Sequence, residues 1–141
     1  MRKAVQLSLF KLPTLNTVVE MKGVLNRGAK NSGMSRSAIA DKMNKLAERY
    51  GLSLVTGNGN RLTLDTFEKW LNPAEPGRQM PMRVLPVFCI IVGDFSPLEV
   101  LARPVGAKVI GEEDQKLLKW AKAYQQVRKG RQEMRMLEPD I

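Results

Sequence analysis

Two short polar segments hold the residues whose types and order suit contact with a polyanion. In the first, Ser35 and Arg36 follow Gly33 and stand where a helix is expected to begin. The free N–H groups of a helix N-terminus, a hydroxyl group and a guanidinium all bind phosphate oxygens. The second segment, residues 62–71, predicts a short helix with polar residues on its outer face. The two helices together predict a surface that can contact a phosphate backbone.

The chain lacks the residues that most enzymes use for acid–base or metal chemistry. It contains no histidine, which removes the commonest general base and the commonest metal ligand. Its only cysteine, Cys89, lies among apolar residues and is expected to be a buried thiol, so neither a disulfide nor a cysteine zinc site is expected. The acidic run Glu112–Asp114 suits a helix start better than a nuclease metal site. We therefore predict no enzymatic activity, no cofactor and no metal.

The positive charge is concentrated in the first part of the chain. The formal net charge is +9, and residues 1–50 hold ten Lys and Arg against three Asp and Glu, whereas residues 51–111 and 112–141 each carry a net charge of +1. Such a concentration is typical of a nucleic-acid partner, and a solubilising surface is the alternative. As a set, the further candidates for phosphate contact are Arg2, Lys3, Lys22, Arg27, Lys30, Lys42, Lys45, Arg61 and Thr63.

Two helices are predicted in this basic part. The first runs from residue 16 or 17 to Asn31, with Lys22 and the later basic residues off its apolar stripe. Gly33 suits the left-handed turn that follows a helix. The second helix is expected to start at the cap residue Ser35 and to run to about Tyr50.

A long connector leads to the third predicted helix. Residues 52–56 and 61–64 flank the turn residues 57–60, which predicts either a small β-hairpin or a flexible loop. Either Thr63 or Asp65 is expected to cap the third helix, and Asp65 with Glu68 resembles a capping box. Trp70 is expected to face the core.

Three further helices complete the prediction. The fourth, about residues 81–92, is apolar nearly all round and is expected at the centre of the core. The fifth starts with Ser96 as its cap and Pro97 at its first position. The sixth spans about residues 112–137 and has apolar residues at a three-to-four spacing. Arg131 occupies one position of that spacing. It is expected either to pack back on the domain or to form a coiled-coil-like arm.

Residues 17–106 resemble the lambda-repressor-like helix-turn-helix family. Residues 34–43 are similar to the second helix of that family, in which a polar cap precedes small and aliphatic residues, and residues 62–71 are similar to its third helix. Residues 67–107 also resemble small regulators encoded by phages and prophages, through Leu71–Pro73, Gly93–Asp94 and Pro97–Ala102. The resemblance implies a compact five-helix DNA-binding domain.

The resemblance also implies roles for individual residues. In the family, the first, second and sixth positions of the third helix face base edges, and here these are Leu64, Asp65 and Lys69. Lys69 can donate to guanine, and Asp65 can accept from the amino group of cytosine or can instead cap its helix. Arg36 stands where the family contacts phosphate. Dimers of such proteins usually bind paired half-sites, so a homodimer is expected.

These observations predict an all-α protein in three parts. They are a basic arm at 1–13, a helix-turn-helix domain at 14–106 with the hairpin or loop inside it, and a C-terminal helix at 107–141 that is the candidate dimer interface. The expected function is sequence-specific transcriptional regulation on double-stranded DNA. The alternative is a protein-interaction module, such as a phage adaptor or an anti-repressor. No apolar run is long enough to span a membrane, so a cytoplasmic location is expected.

Overall fold

The described part of the chain is helical, as predicted. The structure, a computed structural model, describes residues 15–140 apart from the side chains at positions 58 and 140. Within this range it contains six α-helices and no strand, which confirms the all-α prediction. No helix of this range is long and apolar enough to cross a membrane. The predicted arm at 1–13, with Arg2 and Lys3, lies outside the described residues. The helices are α1 Val18–Asn31, α2 Arg36–Arg49, α3 Leu64–Leu71, α4 Leu85–Val92, α5 Ser96–Ala102 and α6 Glu112–Leu137.

The chain divides into two compact units after Lys108. The first unit contains α1 to α5. Its core lies where α2 packs on α3 and α4, and where α1 packs on α3 and α5. Ile39, Met43, Phe67 and Phe88 are fully buried there, and the ring centroids of Phe67 and Phe88 are 6.1 Å apart. The second unit contains α6, in which no residue is buried.

Helix α4 is buried on one face only. Leu85 and Phe88 lie in the core, whereas Ile90 is exposed. The prediction of a helix surrounded by protein is therefore wrong in part. The helix has eight residues and packs on α2, α5 and α1, and its remaining side is exposed.

Side chains cap α2 and α3. The hydroxyl of Ser35 accepts a hydrogen bond from the backbone N–H of Ala38 at 3.1 Å, as predicted for the start of α2. At α3 the cap is Thr63, which accepts from the N–H of Thr66, so the predicted capping box of Asp65 and Glu68 is wrong. Thr63 is placed to satisfy the first turn, because α3 begins at Leu64, two residues earlier than a cap at Asp65 would require.

The predicted cap of α5 is wrong, because the residue before its first turn is Phe95. Asp94 accepts from both the N–H and the hydroxyl of Ser96, at 2.9 Å and 2.6 Å, so Ser96 lies inside α5 and is not its cap.

The connector between α2 and α3 is not a β-hairpin. The side chain of Asn44 donates to the carbonyl of Leu62 and accepts from its N–H, both at 2.8 Å, while Arg83 donates to the carbonyls of Ser53 and Leu54. These side chains bind the backbone groups that a hairpin would pair with each other. Leu54 and Leu62 are buried, and left-handed residues 57, 59 and 60 turn the chain between them.

Candidate nucleic-acid interface

A surface groove at the junction of α1 and α2 gathers four of the predicted phosphate contacts. Helix α1 ends at Asn31, and Gly33, with a φ of 74°, reverses the chain so that α2 starts beside the last turn of α1. The predicted contacts in this α1–α2 groove are Arg27, Lys30, Ser35 and Arg36. Three cations therefore surround the N-terminus of a 14-residue helix, which is a favourable environment for an anion.

Asn26 links the groove to α3 and was not among the predicted contacts. Its side-chain oxygen accepts a hydrogen bond from Nη2 of Arg36 at 2.7 Å, and its Nδ2 donates to the carbonyl of Leu71 at 2.5 Å. The same Nδ2 lies 2.9 Å from the carbonyl of Lys22. One amide thus joins α1, α2 and the C-terminal end of α3. No local pattern marks such a residue, because its partners lie 10 and 45 positions away.

Lys22 is a structural residue, and its prediction as a phosphate contact is wrong. Only 2% of its surface is exposed, and its Nζ donates to the carbonyls of Lys69, Trp70 and Arg78 at 3.0, 2.8 and 2.6 Å. Burial lowers the pKa of Lys22, and the carboxylate of Glu75 offsets part of this effect. The carbonyls at the end of α3 face the interior and need a donor there, which the ammonium supplies.

The remaining predicted cations differ in how far they are neutralised. Lys45 and Arg61 share the carboxylate of Asp41, at 3.2 and 3.3 Å. Lys42 is exposed and forms no ion pair among residues 15–140, and the same holds for Arg27 and Lys30.

Arg49 also belongs with the unpaired cations, although it was not among the predicted contacts. It is exposed at the end of α2 and has no ion pair in the described range. The sequence feature that could have indicated this role is the position of Arg49 within residues 1–50, where the positive charge is concentrated. Among the predicted contacts and Arg49, the exposed cations without an ion pair in the described range thus lie on α1 and α2.

The outer face of α3 carries the three predicted base-reading residues. Leu64 and Asp65 are exposed, and Nζ of Lys69 lies 3.0 Å from the carboxylate of Asp65, one helical turn away. Glu68 is exposed on the same side. An exposed pair of this type contributes only about 0.3–0.5 kcal/mol, so either partner can leave it to bind another group. The face offers an apolar contact, two carboxylates and one ammonium.

No family model matches the chain, and none of the curated proteins or solved structures with which it was compared matches it.

Proposed function

We propose that residues 15–108 form a helix-turn-helix domain and that the chain is a sequence-specific, non-catalytic transcriptional regulator of the phage and prophage type. One observation carries this proposal: the α1–α2 groove gathers Arg27, Lys30, Ser35 and Arg36 around the N-terminus of α2. The hydrogen bonds of Asn26 hold α3 in a fixed place beside that groove. An anchor for phosphate next to a short helix with a polar outer face is the arrangement that such a domain requires.

The two parts of this surface have separate roles in the proposed complex. The exposed cations of α1 and α2 bind phosphate oxygens, which positions the domain on the duplex without reading its sequence. Helix α3 then enters the major groove with Leu64, Asp65 and Lys69 towards the base edges. The ion pair between Asp65 and Lys69 opens in the groove. Lys69 then donates to a guanine, and Asp65 accepts from a cytosine amino group. Leu64 can contact a thymine methyl group.

Selection of random-sequence duplexes, followed by affinity measurements at several salt concentrations, tests the proposal. Wild type should enrich a defined site. Lys30→Ala should weaken binding to all duplexes alike and lower the salt slope by about one unit, because one phosphate contact is lost. Lys69→Ala should instead change which bases are selected. Lys108→Ala is the matched control, since it removes an exposed lysine outside both parts of the surface.

The two contrary outcomes have different meanings. Binding that depends on salt but enriches no site would reduce the function to non-specific DNA binding. Absence of binding at low salt would reject the DNA-binding proposal altogether.

The second candidate function is a protein-interaction module built on the same helices. Asp65 and Glu68 favour it, because two exposed carboxylates on α3 repel DNA phosphates and suit a basic protein surface. Glu68→Gln separates the two functions. It should strengthen DNA binding if α3 enters the groove, and it should leave a weak, salt-dependent DNA interaction unchanged if α3 serves a protein partner.

A further inference from the structure

Helix α6 carries one continuous apolar face that nothing in its own unit covers. The helix has 26 residues, and at about 1.5 Å per residue it is about 39 Å long. Leu117, Trp120, Tyr124 and Val127 are each more than half exposed and follow one another at steps of three, four and three residues. The rings of Trp120 and Tyr124 stack, with centroids 5.6 Å apart. These residues therefore form a single stripe along one side of the helix.

Charged residues of opposite sign stand at the two ends of this stripe. Glu113 precedes Leu117 by four positions, and Arg131 follows Val127 by four, so both continue the heptad spacing. We call the following set the α6 seam: Glu113, Leu117, Trp120, Tyr124, Val127 and Arg131. Its order is acidic, apolar and then basic.

We propose that two copies of the chain associate through this seam as an antiparallel pair of α6 helices. When the two helices run in opposite directions, Glu113 faces the partner's Arg131, and the partner's Glu113 faces Arg131. In the same register Leu117 faces the partner's Val127, and Trp120 faces the partner's Tyr124. Every layer therefore joins either two apolar side chains or two opposite charges. The occupant of the exposed face is thus a second copy, because the seam is complementary to itself when reversed.

The residues beside the seam agree with this register. Asp114 comes next to the partner's Arg128, which adds a second pair of opposite charges at each end. At the centre, Ala121 meets the partner's Ala121, and Ala123 meets the partner's Ala123. These small side chains allow the helices to approach closely around the large Trp120 layer.

A parallel pair would not have these properties. In a parallel coiled coil each seam residue faces its own copy, so Glu113 would face a carboxylate and Arg131 would face a guanidinium. Like charges in such a seam are unfavourable. The charge order of the seam therefore selects the antiparallel arrangement.

Charge reversal in the full-length chain, with mass measured by light scattering, tests this arrangement without DNA and independently of the proposed function. Wild type should have twice the 15.8 kDa mass of one chain. Arg131→Glu alone, or Glu113→Arg alone, should weaken self-association at least about tenfold, because like charges then meet at both ends. The two changes together should restore the dimer. Lys129→Glu is the control, since it makes the same charge change on the opposite side of α6.

Each other outcome overturns the proposal in a defined way. A wild-type monomer at the highest soluble concentration would reject a second copy as the occupant. A dimer that the single reversals do not weaken would exclude the antiparallel order, because a parallel pair keeps like charges together in every variant and an interface elsewhere involves neither residue. A double variant that stays dissociated would show that residues 113 and 131 do not face each other across the pair. The cooperative thermal transition of each variant would show that its buried core remains folded.

Discussion

At the scale of single residues, Lys22 and Asn26 show how one side chain can hold several backbone segments. Lys22 on α1 forms hydrogen bonds with the end of α3 and with the carbonyl of Arg78. Asn26 forms hydrogen bonds with both Leu71 and Arg36. The prediction that Lys22 lies off the apolar stripe of α1 is wrong, because Lys22 follows Val18 by four residues and precedes Leu25 by three, on the inward side of the helix. Its charge made a surface position the simpler prediction. The role of Asn26 depends on partners that no spacing rule indicates.

Lys22→Met should destabilise the first unit by about 2–4 kcal/mol, because it leaves buried carbonyls without a donor. The measurement is the unfolding free energy in urea. Lys30→Met is the matched control on the same helix, where the side chain is exposed, and it should change stability by less than about 0.5 kcal/mol. Equal effects of the two substitutions would contradict the assigned role.

Cys89 should react with thiol reagents only when the molecule opens. Its side chain is buried, and burial together with the charge of Asp94 raises the pKa of the thiol to about 11. At pH 8 about one molecule in a thousand would hold the thiolate, even before access is considered. Labelling should therefore be slow in buffer and fast in denaturant. Rapid labelling of the native protein would contradict this prediction.

The same pKa shift affects stability at high pH. The unfolded chain releases this proton near the ordinary pKa of 9.0, whereas the folded chain retains it to about 11. The folded state then binds more protons, so Cys89 makes the protein less stable as the pH rises through that interval.

At the scale of elements, caps and glycine stops explain why the helices were largely predictable. Ser35 and Gly33 fix the start of α2 and the turn before it through interactions within four residues. The connector between α2 and α3 was not predictable in this way. Its backbone is held by Asn44 and Arg83, which lie 18 to 30 positions from their partners. Alternating residues around glycines could not reveal those bonds.

Asn44→Ala should destabilise the protein by about 2–4 kcal/mol, since it leaves the buried N–H and carbonyl of Leu62 unpaired. Thermal unfolding gives the comparison. Asn31→Ala, at an exposed site, is the control and should change stability by less than about 0.5 kcal/mol. A loss in Asn44→Ala no larger than in the control would show that the connector is held by other contacts.

At the scale of the whole molecule, the buried residues are confined to one unit. Every buried side chain of the described range lies between Lys22 and Val100, whereas α6 buries none. The concentration of charge near the N-terminus was visible in the sequence. The sequence could not show which cations would be buried, as Lys22 is, or would pair with a neighbouring carboxylate, as Lys45 does. Both outcomes depend on packing.

A chain that ends at Lys108 should unfold within about 3 °C of the full-length protein, because the core is retained. It should also be monomeric if α6 is the dimer interface. Calorimetry and light scattering give the two measurements. A midpoint more than about 10 °C lower would mean that α6 contributes directly to the stability of the first unit.

The burial of Lys22 also determines which interactions of the protein respond to ionic strength. Mobile ions screen exposed charges strongly, but they have little effect on an ammonium whose three hydrogen bonds lie inside the protein. Added salt should therefore weaken the attraction between the exposed cations of α1 and α2 and a polyanion without loosening the end of α3. A salt titration would then report the strength of the outer contacts alone, with α3 as a fixed frame of reference.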